Sequence, residues 1–483
     1  MQTGQLGRPT PGQNIPRFRK QISTPDATRF PQQEPQSPHE SAKEPPPPPG
    51  QTKSAGFRTS PPATAPPPGT LVIMKRRPAQ RVYLLLGALW AGQSMAPGFL
   101  GLGGLTTILY QQGVSLEQLG AFQALTILGL VKFLWAPLVD RYGARRFGHY
   151  RSWLLVTQPA MTLAVAALIP LDPVGDLGGV TVLVLVLWVL MGTQDVATDA
   201  LSIRLLDESG RGVANGIQTA AGFVGTILGS GAVLLVYDRI GWTAALLILV
   251  VATALPMLPV LRFREPAPVR PERNGLATLA DLLRQPGVAR WALILLPLPW
   301  AGIGGYFTLL NPMLLDAGWS LSQIGVVVTV FGSLVAIAGG LAAGPITARL
   351  GQRRSLLVFG IAQLIVVPGL FAVAYGHADP LFTTIIICLV HLVYAAATTA
   401  ASTVSMDLCR PDSAGSDYTA LSTVGTAVSF GVGAASTALA GTFGYPLLLA
   451  AAVVLLAVGV LATLLFFPKR GHIPETRHEI SIA

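Results

Sequence analysis

Three ionisable residues interrupt stretches that are otherwise apolar: Lys132, Asp195 and Asp199. A charge at the centre of a membrane helix costs roughly 2.5–3.5 kcal/mol on insertion scales and persists mainly where a partner or a cavity offsets it. Lys132 and Asp195 each stand about fifteen residues into their apolar runs, roughly 22 Å at 1.5 Å per residue, so they reach a similar depth and could pair. Asp195 and Asp199 are spaced i, i+4 and share one helical face with Trp188 and Ser202. Two carboxylates one turn apart cannot both ionise cheaply in a low-dielectric cavity, and one of them is expected to bind and release a proton. The alternative is a fixed Lys132–Asp195 pair that only joins two helices, with Asp199 reaching the interface.

A second stripe, His391, Tyr394, Thr398 and Ser402, follows the i, i+3, i+7, i+11 spacing and projects from one side of another apolar run. Facing the acidic stripe, it would make a cavity ionic on one wall and neutral hydrogen-bonding on the other. The bland reading back-bonds the hydroxyls to their own helix and packs His391 inside the bundle. Trp90, Trp300 and Tyr306 fall near Pro97, Pro299 and Pro312, where an interrupted helix could expose backbone and rings to a ligand. Gly222, Gly225, Gly229 and Gly231 permit close helix contact. At the edge of a run, Asp140, Arg141, Arg145 and Arg146 either latch one conformation through ion pairs or only set topology.

These residues need a membrane scaffold to hold them. The chain has 483 residues, 51% hydrophobic and only 12% charged, and apolar runs of about twenty residues recur from Val82 to Phe467. The reading is an all-α membrane protein of twelve transmembrane helices near 81–110, 116–138, 152–171, 179–205, 213–237, 241–261, 290–315, 321–346, 355–375, 381–406, 417–439 and 445–467. On this map Arg141, Arg145, Arg146, Arg151, Arg211, Arg262, Arg349, Arg353 and Arg354 share one side and the opposite loops hold only Arg239. The positive-inside rule then puts both termini in the cytoplasm. The net charge of +10 is accounted for by these loops and gives no ground for a nucleic-acid partner. The partners expected are the lipid bilayer, a small-molecule substrate and protons.

Residues 1–73 are Pro-rich, lack an apolar stretch of the secretory-signal kind, and are expected to be a disordered cytoplasmic tail. Met74-Lys75-Arg76-Arg77 has the form of a natural start with a basic anchor. Residues 74–261 and 290–468 form the expected six-helix halves, 262–289 a cytoplasmic linker and 469–483 a cytoplasmic tail.

The halves repeat. Gly113-Val114-Ser115-Leu116-Glu117-Gln118-Leu119-Gly120 returns as Gly318-Trp319-Ser320-Leu321-Ser322-Gln323-Ile324-Gly325. Likewise Pro137 to Gly143 with Arg145-Arg146 returns as Pro345 to Gly351 with Arg353-Arg354, and Gly241-Trp242 as Gly444-Tyr445. Parallel repeats at an offset of about 205 residues imply a pseudo-symmetric bundle with its site between the halves near mid-membrane.

Other function classes find no residues to carry them. No Gly-Lys dipeptide occurs, which excludes a phosphate-cradling loop of the Gly-Lys-Ser type. His149, His377 and His391 lack an acid/base setting of the enzymatic kind. Two cysteines, Cys388 and Cys409, make neither a disulfide framework nor a zinc site. No cofactor and no metal is expected, and a non-transporting membrane sensor would need an output domain that the sequence does not offer.

Asp140-Arg141-Tyr142-Gly143 with Arg145-Arg146 resembles the loop motif of the major facilitator superfamily, although Pro137 stands where the family carries a glycine. Lys132 to Arg141, Arg151 to Leu155 with Gln158, and Gln194 to Ala200 are similar to the branch holding AmpG-type muropeptide permeases and RhtX/FptX-type siderophore permeases. Arg211 to Gln218 and Tyr237 to Trp242 look closer to the siderophore group. The resemblance implies the superfamily fold and proton-coupled secondary transport by alternating access. It also implies that Gln194 belongs with the substrate and coupling residues. The cargo it implies is an iron-siderophore crossing a bacterial inner membrane, with a muropeptide as the alternative.

Overall fold

The computed structural model describes residues 68–100, 104–115, 118, 119, 122, 124–144, 146–266, 279–377 and 379–468. The Pro-rich stretch 1–67, linker residues 267–278 and the C-terminal 469–483 lie outside the described residues, and with them most of the expected tail 1–73 and part of the expected linker 262–289; residues 68–73, expected to be disordered, are instead the helical start of span 1, and the linker carries a short helix, Leu279–Leu283.

Among the described residues every regular element is helical. Twelve segments follow in chain order. Span 1 is Pro68–Leu100 continued by Gly104–Gln111, span 2 covers 124–141, and span 3 is His149–Ala167. Spans 4 to 10 are Leu177–Leu205, Gly210–Ile240, Trp242–Arg262, Val288–Asp316, Ser322–Leu350, Gln352–Ala374 and Pro380–Asp407. Spans 11 and 12 form one run, Ala414–Phe466, broken at Gly444 by a backbone of φ 74° and ψ 158°. A helix such as Leu177–Leu205, with 29 residues, is about 43 Å long at 1.5 Å per residue and can cross a hydrocarbon core of about 30 Å. Leu163 of span 3 and Ile365 of span 9 are 68% and 74% exposed, the pattern of a protein solvated by lipid rather than water.

Local sequence sets the ends of these helices, and it does so twice. Ser115 and Gln118 form a reciprocal capping box before span 2, each side chain bonding the other's backbone N–H or accepting from it at 3.3 Å. Ser320 and Gln323 repeat it before span 8 at 2.9 and 3.2 Å. Left-handed glycines recur in register as well: Gly113 with Gly318, Gly148 with Gly351, and Gly241 with Gly444. At Gly241 and Gly444 the chain reverses between neighbouring spans with no loop, a turn that a side chain would strain.

Spans 2, 5, 7 and 8 depart from regular winding. Span 2 passes through a 3₁₀ turn at Ala124–Ile127, an α turn, and a second 3₁₀ turn at Lys132–Leu134 before Ala136–Arg141. Pro137 has no N–H to give to the Phe133 carbonyl, and Trp135 N donates to the Lys132 carbonyl at 3.2 Å, the i+3 bond of the second 3₁₀ turn. Spans 5, 7 and 8 carry π turns at Ile227–Ala232, Trp291–Leu295 and Gly325–Phe331.

Each half has its own core, one around Leu105, Met161, Leu187 and Leu249 and one around Tyr306, Leu310, Leu370 and Leu456. A third apolar cluster draws on both halves, joining Val139, Leu154 and Val196 to Trp291, Val404 and Leu421. The halves meet where span 5 packs on spans 8 and 10, and where span 11 packs on spans 2 and 4.

Candidate functional site

The two halves enclose a cavity of about 710 Å³. From the first half Lys132, Trp188, Asp195, Asp199, Gln218 and Phe223 line it; from the second, Trp300, Tyr394, Thr398, Ser402, Tyr418 and Ser422, with Thr423, Thr426 and Phe430 beyond. The charges therefore all lie on one wall, and the opposite wall is built of hydroxyls and rings.

On the ionic wall Lys132 Nζ forms an ion pair with Asp195 Oδ2, the two side chains being 16% and 19% exposed. The lysine stem runs over Gly192, where an added Cβ would come within 3.4 Å of Lys132 Cβ and 3.1 Å of the Trp135 ring. Trp135 is held in turn by its indole N–H donating to Thr193 Oγ1 at 3.2 Å. Gln93 of span 1 donates from Nε2 to Asp195 Oδ1 at 2.5 Å. Asp199 is built differently. It is 2% exposed, and its Oδ1 accepts from Trp90 Nε1 at 3.1 Å and Gln218 Nε2 at 2.9 Å, both neutral donors. Trp90 thus serves the site as a buried support of Asp199 and is not among the residues lining the cavity.

Across the cavity the expected stripe divides. Tyr394, Thr398 and Ser402 face the space, with Thr398 Oγ1 also donating back to the Tyr394 carbonyl at 3.0 Å. His391 does not line it. The notch left by Gly332 of span 8 takes the imidazole: a Cβ at that glycine would lie 2.8 Å from His391 Cε1 and Nε2. Phe307 covers the ring at 5.1 Å between centroids, and Nδ1 donates to the Ile387 carbonyl at 2.8 Å. At this level span 8 closes on span 10, so a residue with the right angular position lies above the cavity. Gln194 also stands off the cavity: it is fully buried, is not among the lining residues, and neither amide atom has a partner among the described residues. Of the ring residues near prolines, Trp300 lines the space while Tyr306 is buried behind it.

The arginine-rich end is shut. Asp140 Oδ1 accepts from Tyr150 Oη at 2.8 Å and Gly415 N at 3.0 Å, while Oδ2 accepts from Ser416 N at 2.7 Å and Ser416 Oγ at 2.5 Å. A first-half carboxylate thus caps the first turn of span 11. Arg211 of span 5 pairs with Asp407 of span 10 at 2.9 Å, and Gln352 donates to the same carboxylate at 2.6 Å. Gly212 and Gly216 of span 5 meet Gly344 and Gly340 of span 8 backbone to backbone. The glycines singled out farther along span 5 act inside the first half: Gly225 and Gly229 meet Ser94, Met95 and Phe99 of span 1, and Gly222 and Gly231 face open space. Thr219 and Thr399 bridge the halves at 3.0 Å. In the turn before span 11, the Asp417 carboxylate hydrogen-bonded to Arg410 raises that guanidinium above its ordinary range.

Arg141 and Arg146 do not join the latch. Arg141 sits over the Tyr142 ring at 5.5 Å and Arg146 over Phe147 at 5.8 Å, both exposed, and neither makes an ion pair among the described residues. Arg145 lies outside the described residues.

Several partners escaped the sequence reading. Tyr418, Ser422, Thr426 and Phe430 recur every fourth residue along span 11, so that stripe was legible by the rule applied to span 10. Gln93 and Gln218 carried no such signal: each is a lone amide whose role depends on a carboxylate about a hundred, or about twenty, residues away.

The Major Facilitator Superfamily profile matches residues 104–434. The anhydromuropeptide permease of Escherichia coli K12 is 30% identical over 299 residues, covering 60% of this chain and 59% of the permease, so the chain spans under two thirds of that relative's length. A putative transporter AmpG 4 of Rickettsia felis is 23% identical over 338 residues, covering 66% and 80%. Among solved structures, a bacterial homologue of the iron transporter ferroportin in an outward-facing state superposes with a TM-score of 0.62 at 14% identity, over 80% of this chain and 98% of its own, a likeness of fold alone. The twelve helical segments among the described residues, the repeated half and a profile match over most of the chain agree, and the protein belongs to the Major Facilitator Superfamily.

Proposed function

We propose that the chain is a secondary transporter that carries anhydromuropeptides across a bacterial inner membrane by alternating access, driven by protons. The observation that carries this reading is the cavity between the halves, with an ion pair and a buried carboxylate on one wall and hydroxyls and rings on the other. Sugar hydroxyls find partners in Thr398, Ser402 and Ser422, and the apolar face of a pyranose finds Trp188 and Trp300. The similarity to an anhydromuropeptide permease supports this cargo over the iron-siderophore that the Arg211 to Gln218 segment suggests. With the arginine-rich end in the cytoplasm, as the positive-inside rule favours, the shut end is cytoplasmic and this is an outward-facing form.

Cargo is tested by deleting the gene and measuring uptake of labelled anhydromuropeptide beside uptake of radio-iron with siderophores. Loss of the first alone is expected; loss of the second alone overturns the cargo. Proton coupling rests on Asp195 and Asp199. Asp195→Asn and Asp199→Asn are each expected to lower accumulation under an imposed pH gradient by about tenfold or more, since a fixed neutral side chain cannot carry the proton through the cycle. Unchanged accumulation in both variants removes the pair from the mechanism.

A further inference from the structure

We infer that Gln93, Asp195 and Lys132 form a proton-operated receptor for a carboxylate of the cargo. A proton moves Asp195 from Lys132 onto Gln93, and the freed ammonium takes the cargo's carboxylate in its place. This rests on reading the cavity as the binding site of a glycan transporter.

Lys132 is the one cation among the described residues lining the cavity, and a single carboxylate holds it. An anionic cargo entering while Asp195 is ionised would crowd a third carboxylate around one ammonium already facing Asp195 and Asp199, an arrangement that like-charge repulsion disfavours. The lysine stem packs on Gly192, which keeps the ammonium near this wall while the counter-ion exchanges. Both members of the pair are partly open to the cavity, unlike Asp199.

The second observation is an unmet acceptor. Gln93 Nε2 donates to Asp195 Oδ1, while Gln93 Oε1, on the same amide, is buried and has no hydrogen-bond partner among the described residues. An unpaired buried carbonyl has given up its hydration with no hydrogen bond in return. A protonated Asp195 supplies the missing donor. Its Oδ2–H can donate to Gln93 Oε1 while Oδ1 goes on accepting from Gln93 Nε2, the two-bond pairing of a carboxylic acid with an amide. The proton comes from hydronium reaching the cavity: one of its O–H bonds breaks, water is left, and the bond formed is Oδ2–H. What is given up is the ionic contact to Lys132, and the cargo's carboxylate restores it. The other titratable groups near the pair are Asp199 on the same helix and Tyr394 and Tyr418 across the cavity; the neighbours from spans 1 and 5, Trp90 and Gln218, are neutral.

The test uses the full chain in lipid nanodiscs and two probes: the peptide-free disaccharide of N-acetylglucosamine and 1,6-anhydro-N-acetylmuramic acid, whose lactyl carboxylate is free, and its methyl ester. Calorimetry in buffers of different ionisation heat counts protons. The acid is expected to bind with uptake of about one proton, its affinity falling about tenfold for each pH unit over which that proton is taken up. The ester should bind more weakly and take up none. Asp195→Asn should bind the acid with no proton uptake and a flat pH profile. Gln93→Leu should keep the preference for the acid but need a lower pH, because the neutral acid has lost its acceptor. Lys132→Gln should lose the preference. Acid and ester binding alike with no proton uptake overturns the exchange and leaves glycan transport standing. If neither probe binds, the cargo assignment fails and the exchange falls with it.

Discussion

Gly216→Trp is expected to abolish transport while leaving a folded protein trapped open at the arginine-rich end. A Cβ at Gly216 would run into the Gly340 carbonyl and lie 3.6 Å from Gly344 Cα, and both belong to the other half. Even added methylenes in a packed contact cost about 1–3 kcal/mol. A shift of roughly 5.5 kcal/mol turns a population of 99:1 into 1:99. An indole driven between two backbones is expected to reach that range, and the energy falls on the closed form because it alone brings span 5 against span 8 at this point. Uptake should drop to about a hundredth or less. A cysteine placed at Ser402, in the cavity, should gain reactivity toward reagents added from the arginine-rich side and lose it from the other. Wild-type uptake would show that this contact does not form during the cycle.

Asp140→Ala should weaken the same closure from the opposite edge of the interface. Four donors converge on this carboxylate, three of them from Gly415 and Ser416 across the interface. Truncation leaves helix-end N–H groups unpaired, at about 1–3 kcal/mol, and removes an anion from a helix N-terminus, worth up to about 2 kcal/mol when partly buried. A net loss of about 3 kcal/mol shifts the closed population by roughly a hundredfold, and uptake is expected to fall by about one to two orders of magnitude. Tyr150→Phe removes a single neutral donor from the same carboxylate and should cost only about 1 kcal/mol, a change of a few-fold. Labelling of the Ser402 cysteine from the arginine-rich side should rank Gly216→Trp above Asp140→Ala and Asp140→Ala above Tyr150→Phe. Equal labelling in Asp140→Ala and the parent would reduce Asp140 to a residue of loop topology.

The two closures divide the work by chemistry. Gly212 and Gly216 let two backbones approach with nothing to break, so that seam opens at the cost of dispersion alone. Asp140 on Ser416 and Arg211 on Asp407 are directional and break one bond at a time. The cavity lies between them. Gln218, which holds Asp199, sits two residues from Gly216 and next to Thr219, whose hydroxyl meets Thr399 of the other half. A change at the buried carboxylate therefore reaches the seam through one turn of span 5.

The sequence by itself determined the spans, their repeat and the depth of the charges, because those depend on neighbours along the chain. Apolar length sets a crossing, Ser-x-x-Gln caps the helix that follows it, and a glycine reverses the chain at Gly241 and Gly444 whatever surrounds it. The pairing of Lys132 with Asp195 was legible for the same reason: few charges lie at that depth, and burial leaves them little choice of partner. Only the tertiary structure decided which polar residues meet the cavity. His391 shares the angular face of Thr398, yet Gly332 on a neighbouring span makes the notch that removes it. Gln93 joins Asp195, and Ser416 receives Asp140. The crossing of helices far apart in sequence sets these contacts, and helical periodicity fixes direction around an axis but not the level at which another axis crosses it.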